Sequence, residues 1–372
     1  MSRTLPKLNR VVVKIGSSSI CGLDNHIEER QIIEMTKQVA ALVQSGIQVV
    51  LVSSGAVAAG AGLLQKKIPT LENNQAAAAI GQPILMRYFQ QYFQAYGLTT
   101  AQMLLTHDDF QDRRRYLSAR NTLNVLLDNQ IIPVINENDS ISTAEIRFSD
   151  NDFLGALCTN LVTADLFIIL SNIDGIADRD PAQHKEAKIY STLSIKQIEA
   201  LQEKFAPETA SGQGRGGILT KLSAPLMAAQ YGVPSIIANS RLENILTRIV
   251  RGEALGTFVE PEANQLNAWR AYIAHALKPK AMILIDSGAA RALKQQKASL
   301  LASGIIGTRG HFERGDGIRC CLEDGTEIVR GIVEYSQVEV QKIAGCQSDA
   351  IEQILGYRHR RSVIHRDNMV SR

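Results

Sequence analysis

The chain has 372 residues, of which 45% are hydrophobic and 21% charged, and a formal net charge of +3. That length exceeds one ordinary domain core and predicts two domains, while so small a net charge argues against nucleic-acid binding through bulk electrostatics. No stretch after Met1–Asn9 reads as a secretory signal, and no window approaches the ~20 apolar residues of a membrane span. The five cysteines, Cys21, Cys158, Cys320, Cys321 and Cys346, show no CxxC spacing, so neither a disulfide framework nor a zinc site is expected. The expectation is a cytoplasmic protein with no membrane partner, whose cysteines serve mostly as small hydrophobes.

In chain order, Arg10–Ile15 reads as a buried β-branched strand that feeds Gly16-Ser17-Ser18-Ser19. Glu28–Gln44 has helical spacing and stops at Ser45-Gly46. Gln48–Val52 is a second strand, followed by Ser53-Ser54-Gly55 and a helix start at Ala56. Gln75–Tyr96 predicts a long helix interrupted near Gly81 and Pro83, and Thr99–Leu105 a strand. Ser118–Asp128 predicts a helix. Ile131–Ile135 predicts a strand that leads into a polar loop, Asn136-Glu137-Asn138-Asp139. Asn151–Val162 is helical, Leu166–Leu170 a strand before Ser171-Asn172, and Ser235–Ala238 a later strand. Strands alternating with helices predict an α/β layer fold around a mostly parallel sheet. Ligands then bind beyond the carboxyl ends of the strands, where all of these polar loops fall.

The pattern changes after about residue 275. From Ala281 to Val340 short apolar stretches are punctuated by turns such as Gly315-Asp316-Gly317 and Asp324-Gly325, which predicts a second, mainly β domain. The expected division is 8–258, a linker at 259–278 that holds Trp269, a β-rich domain at 279–356 and a basic tail at 357–372. Pro279–Gly356 carries nine Lys/Arg against ten Asp/Glu, net −1, and the tail five Arg against one Asp, net +4.

Several residue clusters could carry chemistry. Lys14 closes a buried strand, which is costly for an unpaired ammonium; it either meets a phosphate beside Gly16 or snorkels out at the sheet edge. Ser53-Ser54-Gly55 is either an anion site at a helix start or a cap. Asn136–Asp139 and Ser149-Asp150-Asn151-Asp152 place carboxylates and amides close together, suited to an ammonium group or to lysines and Mg²⁺ near phosphates, with turn and capping chemistry as the alternative. Gly212-Gln213-Gly214-Arg215-Gly216-Gly217 runs into Ile218-Leu219-Thr220-Lys221. No strand precedes it, and its Thr-Lys order is not that of a Walker loop, so a phosphate cover with Lys221 competes with an ordinary surface loop. Arg113-Arg114-Arg115 near Asp108, Asp109 and Asp112 reads as a solvated helix face, and His365-Arg366-Asp367 as a chance match to a protein-kinase string.

Taken together, VVVKIGSSS (11–19), LVSSGAVAAG (51–60), LLDNQIIPVINENDS (126–140), AEIRFSDND (144–152) and GGILTKLSA (216–224) resemble the amino-acid kinase superfamily, and within it the bacterial glutamate 5-kinases. IDSGAARAL (285–293), GIIGTRGHFERGD (304–316) and IAGCQSDAIEQILGY (343–357) resemble the PUA domain that those enzymes carry. The resemblance implies a three-layer amino-acid-kinase fold plus a small PUA domain, and ATP-dependent phosphorylation of the γ-carboxylate of glutamate, with Mg²⁺ accompanying ATP. It implies that Lys14 and Lys221 neutralise the transferring phosphoryl group, that Asp152 orients both lysines, and that Ser54, Asp139 and Asn151 hold glutamate. The nucleotide side would be Lys14, Ser171, Asn172, Arg215, Gly216, Gly217, Ile218, Leu219, Thr220 and Lys221. A homo-oligomer, feedback inhibition by proline and coupling to the downstream glutamyl phosphate reductase belong to the same resemblance; RNA binding by the PUA region is the disfavoured alternative.

The sequence departs from that pattern on the nucleotide side. Ser171-Asn172 stands where many relatives have Thr-Asp, Arg215 where they have Thr, and Gly175-Ile176-Ala177-Asp178 where they usually carry a Tyr-Thr pair. A carboxylate is already ionised at neutral pH, so the absence of a histidine base from these motifs does not count against such chemistry.

Overall fold

A computed structural model describes residues 3–22, 27–64, 70–142, 151–179, 184, 186–210, 217–261, 273–274, 277, 279, 281–295 and 298–371. The chain divides into two compact units, one of Met1–His107 with Ser118–Gln265 and the other of Asp108–Leu117 with Leu266–Arg372. The expected linker falls mostly outside the described residues, Trp269 included. Among the described residues no helix is long and apolar enough to cross a membrane.

The first unit is built on eight strands. In chain order they are β1 (Arg10–Ile15), β2 (Gln48–Ser53), β3 (Thr100–Leu105), β4 (Ile132–Glu137), β5 (Leu166–Ser171), β6 (Thr192–Leu193), β7 (Ser235–Asn239) and β8 (Thr257–Val259). The sheet order is β3-β4-β2-β1-β5-β7-β8-β6. The first six in that order are parallel, and β8 runs antiparallel to β7. The near-continuous apolar runs of β1, β2 and β5 match strands covered on both faces; every residue of β5 is buried.

The helices that accompany these strands in the chain are α1 (Glu29–Gln44), α2 (Ala56–Ala61), α3 (Leu71–Gln94), α4 (His107–Gln111), α5 (Arg113–Asp128), α6 (Asn151–Leu161), α7 (Ile195–Ala210), α8 (Gly217–Gln230) and α9 (Ile245–Val250), of which most of α4 and the first residues of α5 count with the second unit. α6 is apolar almost all round and correspondingly buried from Leu154 to Leu161. Two expectations are corrected. α3 is capped by Thr70, whose hydroxyl accepts from the Asn73 N–H, and it runs unbroken through Gly81 and Pro83. Tertiary packing outweighs the local penalty, because Ala77, Ala78, Leu85, Phe89 and Phe93 are buried on either side of the proline. α5 starts at Arg113, earlier than Ser118; Arg114 and Arg115 are exposed, and Arg115 pairs with Asp109 at 3.2 Å.

α2 and α3 touch backbone to backbone. A Cβ added at Gly60 would lie 1.9 Å from the Ala77 carbonyl oxygen, and one at Gly81 would lie 1.8 Å from the Ala56 carbonyl oxygen. These two glycines therefore fix how closely the helix after Ser53-Ser54-Gly55 is held, with Gly55 itself at φ 99°, a left-handed conformation that favours glycine.

The second unit contains a five-stranded sheet, β9 (Ala281–Ile285), β10 (Ile305–Arg309), β11 (Gly317–Cys321), β12 (Glu327–Ile332) and β13 (Met369–Ser371), in the order β10-β9-β11-β12-β13. β11 runs parallel to β9 and the other pairs are antiparallel. The Asp324-Gly325 turn joins β11 to β12 as expected, with Gly325 at φ 88°. Short helices at Ser287–Gln295, Gln337–Ile343 and Ile351–Leu355 accompany the sheet. The second of these begins with a Ser336/Glu339 capping box.

The expected basic tail is not a separate segment. Val363, Ile364 and Met369 are buried in this unit's core, and Met369–Ser371 supplies the strand β13. Apolar residues between the arginines pull it in, and the arginines meet carboxylates of the same unit: Arg360 lies 3.6 Å from buried Glu334, and Arg358 3.4 Å from Asp349. Its positive charge is thus partly neutralised in place.

The Gly60/Gly81 contact gives a direct test. Gly81→Ala should lower Tm by several degrees, as overpacking costs ~1–3 kcal/mol. Any turnover should fall with it, because α2 must move the Ser53–Gly55 loop. Calorimetry and an activity assay on the same preparation check both outcomes.

Candidate active site at the strand ends

Ile15, the last residue of β1, is in register with Ser53 of β2 on one side and Leu170 of β5 on the other. Sheet order reverses about β1, so its carboxyl end is a topological switch point, where open α/β sheets bind ligands. Lys14 lies there and is 3% exposed. Its Nζ is 2.5 Å from Asp152 Oδ1, and Asp152 in the first turn of α6 is fully buried. Lys221, near the start of α8, approaches the other carboxylate oxygen at 3.8 Å. One carboxylate thus serves two ammonium groups, and a trio with two cations to one anion suits an anionic ligand.

Glycines make the approach possible. A Cβ at Gly155, on the Asp152 face of α6, would stand 2.7 Å from the Phe167 ring and 3.4 Å from Lys14 Cβ, so glycine lets the helix lie on β1 and β5. A Cβ at Gly16 would sit 3.7 Å from Lys14 Nζ and 3.8 Å from Ser19 Oγ, in space that glycine leaves open beside the ammonium. Ser19 Oγ is buried and has no hydrogen-bond partner among the described residues.

A second group of side chains lies next to the first. Asn151, adjacent to Asp152, donates from Nδ2 to the Ser53 carbonyl at 2.8 Å, to Ser54 Oγ at 3.0 Å and to Asn136 Oδ1 at 2.8 Å. Asn136 donates in turn to Gln82 Oε1 of α3 at 2.8 Å. Ser54 and Asn151, expected to act together, are therefore in contact. The expectation of a polar loop at 136–139 is corrected in part. Asn136 and Glu137 are the last residues of β4 and are buried, because pairing with Leu104 and Leu105 of β3 extends the ladder and their polar atoms find partners. Ser142, for example, donates to Glu137 Oε1 at 2.8 Å. Asn138 and Asp139 follow outside the strand and, with Gln82 and Ser140, help line a cavity of about 250 Å³.

On the expected nucleotide side, Ser171 ends β5 and its hydroxyl donates to Asn172 Oδ1 at 3.3 Å. The Ser171 carbonyl accepts from the Ser240 N–H at 2.8 Å. Ile218, Leu219 and Thr220 are half-buried at the start of α8, with Gly217 as its first residue. In the segment that departs from the family pattern, the Lys188 N–H donates to Asp178 at 2.9 Å and holds its carboxyl below the usual range. Arg215, Gly216, Ser149, Asp150 and the preceding glycine-rich stretch lie outside the described residues. Sequence reasoning named Asn136 within a candidate cluster but missed Gln82; the available signal was a glutamine between Gly81 and Pro83, just after the run Ala76–Ala79.

The amino acid kinase family profile matches residues 9–239, and the PUA domain profile residues 281–355. This chain belongs to the amino acid kinase family. Its relatives among amino acid kinases include the glutamate 5-kinase of Trichlorobacter lovleyi, 45% identical over 98% of this chain and 97% of that one. The glutamate 5-kinase of Caldanaerobacter subterraneus is 42% identical over 97% of each chain. Among solved structures, the carbamate kinase of Giardia superposes with a TM-score of 0.51 at 16% identity, covering 69% of this chain and all of that one, which is a likeness of amino acid kinase fold.

Breaking the buried ion pair should separate stability from chemistry. Asp152→Asn strands Lys14 without its counter-charge and should cost ~3–5 kcal/mol. The double variant Lys14→Met/Asp152→Asn should regain most of that stability and remain inactive. Urea unfolding alongside turnover measurements distinguishes the two variants.

Proposed function

We propose that this chain is a glutamate 5-kinase, which transfers the γ-phosphoryl group of ATP to the γ-carboxylate of L-glutamate and gives L-glutamate 5-phosphate, the first step of proline biosynthesis. The observation that carries the reading is the pair of lysines held by one buried carboxylate at the switch point, in a chain 42–45% identical to glutamate 5-kinases over nearly its whole length. Phosphoryl transfer to a carboxylate calls for positioning and positive charge, and needs no general base.

On this reading Lys14 and Lys221 neutralise the phosphoryl group in flight, and Asp152 acts through them as a positioning residue. Ser54, Asp139 and Asn151 hold glutamate, with the Asp139 carboxylate toward its ammonium group. Ser171, Asn172 and the 215–221 segment line the nucleotide site, with Arg215 as an added cation. Mg²⁺ would arrive on the ATP phosphates, a mode that asks for few protein ligands; among the described residues there is no cluster of three His, Cys, Asp or Glu side chains for a metal. We assign the transfer to 8–258, with the PUA domain beginning near 279. Proline as feedback inhibitor, a homo-oligomer, coupling to the reductase that consumes the acyl phosphate, and a cytoplasmic setting complete the reading.

The test is formation of an iron-staining hydroxamate when the protein is incubated with ATP, Mg²⁺, glutamate and hydroxylamine. Acetylglutamate, aspartate and UMP serve as competing acceptors in a coupled ADP assay, and preference for any of them over glutamate overturns the reading. EDTA should abolish the signal and Mg²⁺ restore it. Lys221→Met should lower kcat about a hundred- to a thousandfold, the loss typical of one arranged donor, with the thermal transition nearly unchanged. Asp139→Asn should raise KM for glutamate far more than KM for ATP; a defect confined to ATP would remove Asp139 from the amino-acid pocket.

A further inference from the structure

The amide groups around Asn136 are oriented by backbone atoms, and the orientation has a chemical outcome at Gln82. The Glu137 backbone N–H can only donate, and it donates to Asn136 Oδ1 at 2.9 Å. The other end of that amide, Nδ2, therefore faces Gln82, which must answer with its oxygen. Gln82 Nε2 is left as a donor. It is buried and has no hydrogen-bond partner among the described residues. The same logic fixes Asn151. The Ser53 carbonyl can only accept, so Asn151 turns Nδ2 toward it, and its buried Oδ1 is left as an acceptor without a partner among the described residues. A buried donor without a partner typically costs ~1–3 kcal/mol, so such a pair marks a place where a ligand completes the network.

We propose that Gln82 is a specificity-determining residue, which donates from Nε2 to the α-carboxylate of the bound amino acid in the cavity that it lines with Asp139. This rests on the reading above, in which Ser54, Asp139 and Asn151 hold the substrate. The unmet groups ask for a ligand that brings both an acceptor and a donor. A zwitterion does so: its carboxylate meets Gln82, and its ammonium has acceptors in Asp139 and Asn151 Oδ1. The second carboxylate of glutamate has to reach Lys14 and Lys221. Among the described residues the hydrogen bonds that lead from Gln82 toward that pair run through Asn136 and Asn151, the neighbour of Asp152, so Gln82 serves the α end of the substrate. Pro83, which also lines the cavity, has no N–H to give the carbonyl of Ala79, another lining residue, so the wall is less apolar than its alanines suggest.

Two variants and one analogue test this. Gln82→Glu keeps an oxygen for Asn136 and replaces the donor by a second acceptor; Gln82→Met removes the donor without adding charge. 4-Aminobutyrate keeps the ammonium and the reacting carboxylate of glutamate and lacks only the α-carboxylate. Steady-state kinetics should show KM for glutamate raised about 10- to 100-fold in both variants, the loss expected for a hydrogen bond to a charged group, with KM for ATP within about twofold. The inhibition constant of 4-aminobutyrate against glutamate should not change by more than about twofold, because that ligand never used Gln82. A wild-type KM for glutamate in either folded variant, or an equal weakening of glutamate and 4-aminobutyrate, overturns the assignment while leaving the kinase reading intact. A wild-type protein that forms no hydroxamate from glutamate overturns both.

Discussion

The Lys14–Asp152–Lys221 group is the constraint around which the first unit is arranged. A lysine 3% exposed on a central strand is tolerable only with a counter-charge at hand. That counter-charge has to come from a helix lying flat on the sheet, and α6 can lie there because residue 155 is glycine. Because α6 is fixed in this way, Asn151 is fixed as well, and through it the Ser53–Ser54 loop, the end of β4 and Gln82 of α3. The electrostatic part of the site and its hydrogen-bonding part are thus two consequences of one helix placement. Buried pairs of this kind contribute little net stability, and in the function proposed above the value of this one lies in holding charge where a phosphoryl group can use it.

Much of this was legible in the sequence, and for physical reasons. The strands β1, β2 and β5 are buried on both faces, so their β-branched runs are unmistakable, and the polar residues at or just after the end of each run mark the edge at which open parallel sheets generally bind ligands. Lys14 stood out because its charge contradicts its surroundings. The mistakes have a common cause, which is that tertiary contacts outweigh local signals. Pro83 and Gly81 argue for a break within 75–96, yet α3 continues through both with buried side chains on either side, and Gly81 serves as a contact point for α2. Asn136 and Glu137 look like loop residues until β3 is laid alongside and their polar atoms are matched. The arginines of 357–372 read as a solvated tail, whereas Val363, Ile364 and Met369 between them belong to a core. Gln82 could not be found by pattern, since its importance depends on which end of a neighbouring amide faces it.

The first unit uses polar side chains sparingly but in connected sets. Asn136 meets three partners and Asn151 three, and each of these two amides is anchored by a backbone group whose role is unambiguous, the Glu137 N–H for one and the Ser53 carbonyl for the other. Anchoring of this kind removes the freedom of an amide to turn over, and so fixes which atoms face a ligand before it arrives. Preorganisation of the donors and acceptors lowers the ordering cost of binding.

The parallel topology also governs the order in which the chain can become dry. β1 is synthesised early and can pair with β2 as soon as residue 53 is available, but its other edge waits for β5. Until then RVVVKI is an exposed, apolar strand edge of the kind that recruits other chains. Lys14 lies in that edge, and its counter-ion at position 152 belongs to the helix directly before β5. During that interval the ammonium must stay hydrated, which opposes premature pairing of the edge. The carboxylate and the correct neighbouring strand then arrive together. The residue assigned to phosphoryl transfer in the finished fold is, in the growing chain, a gatekeeper against aggregation.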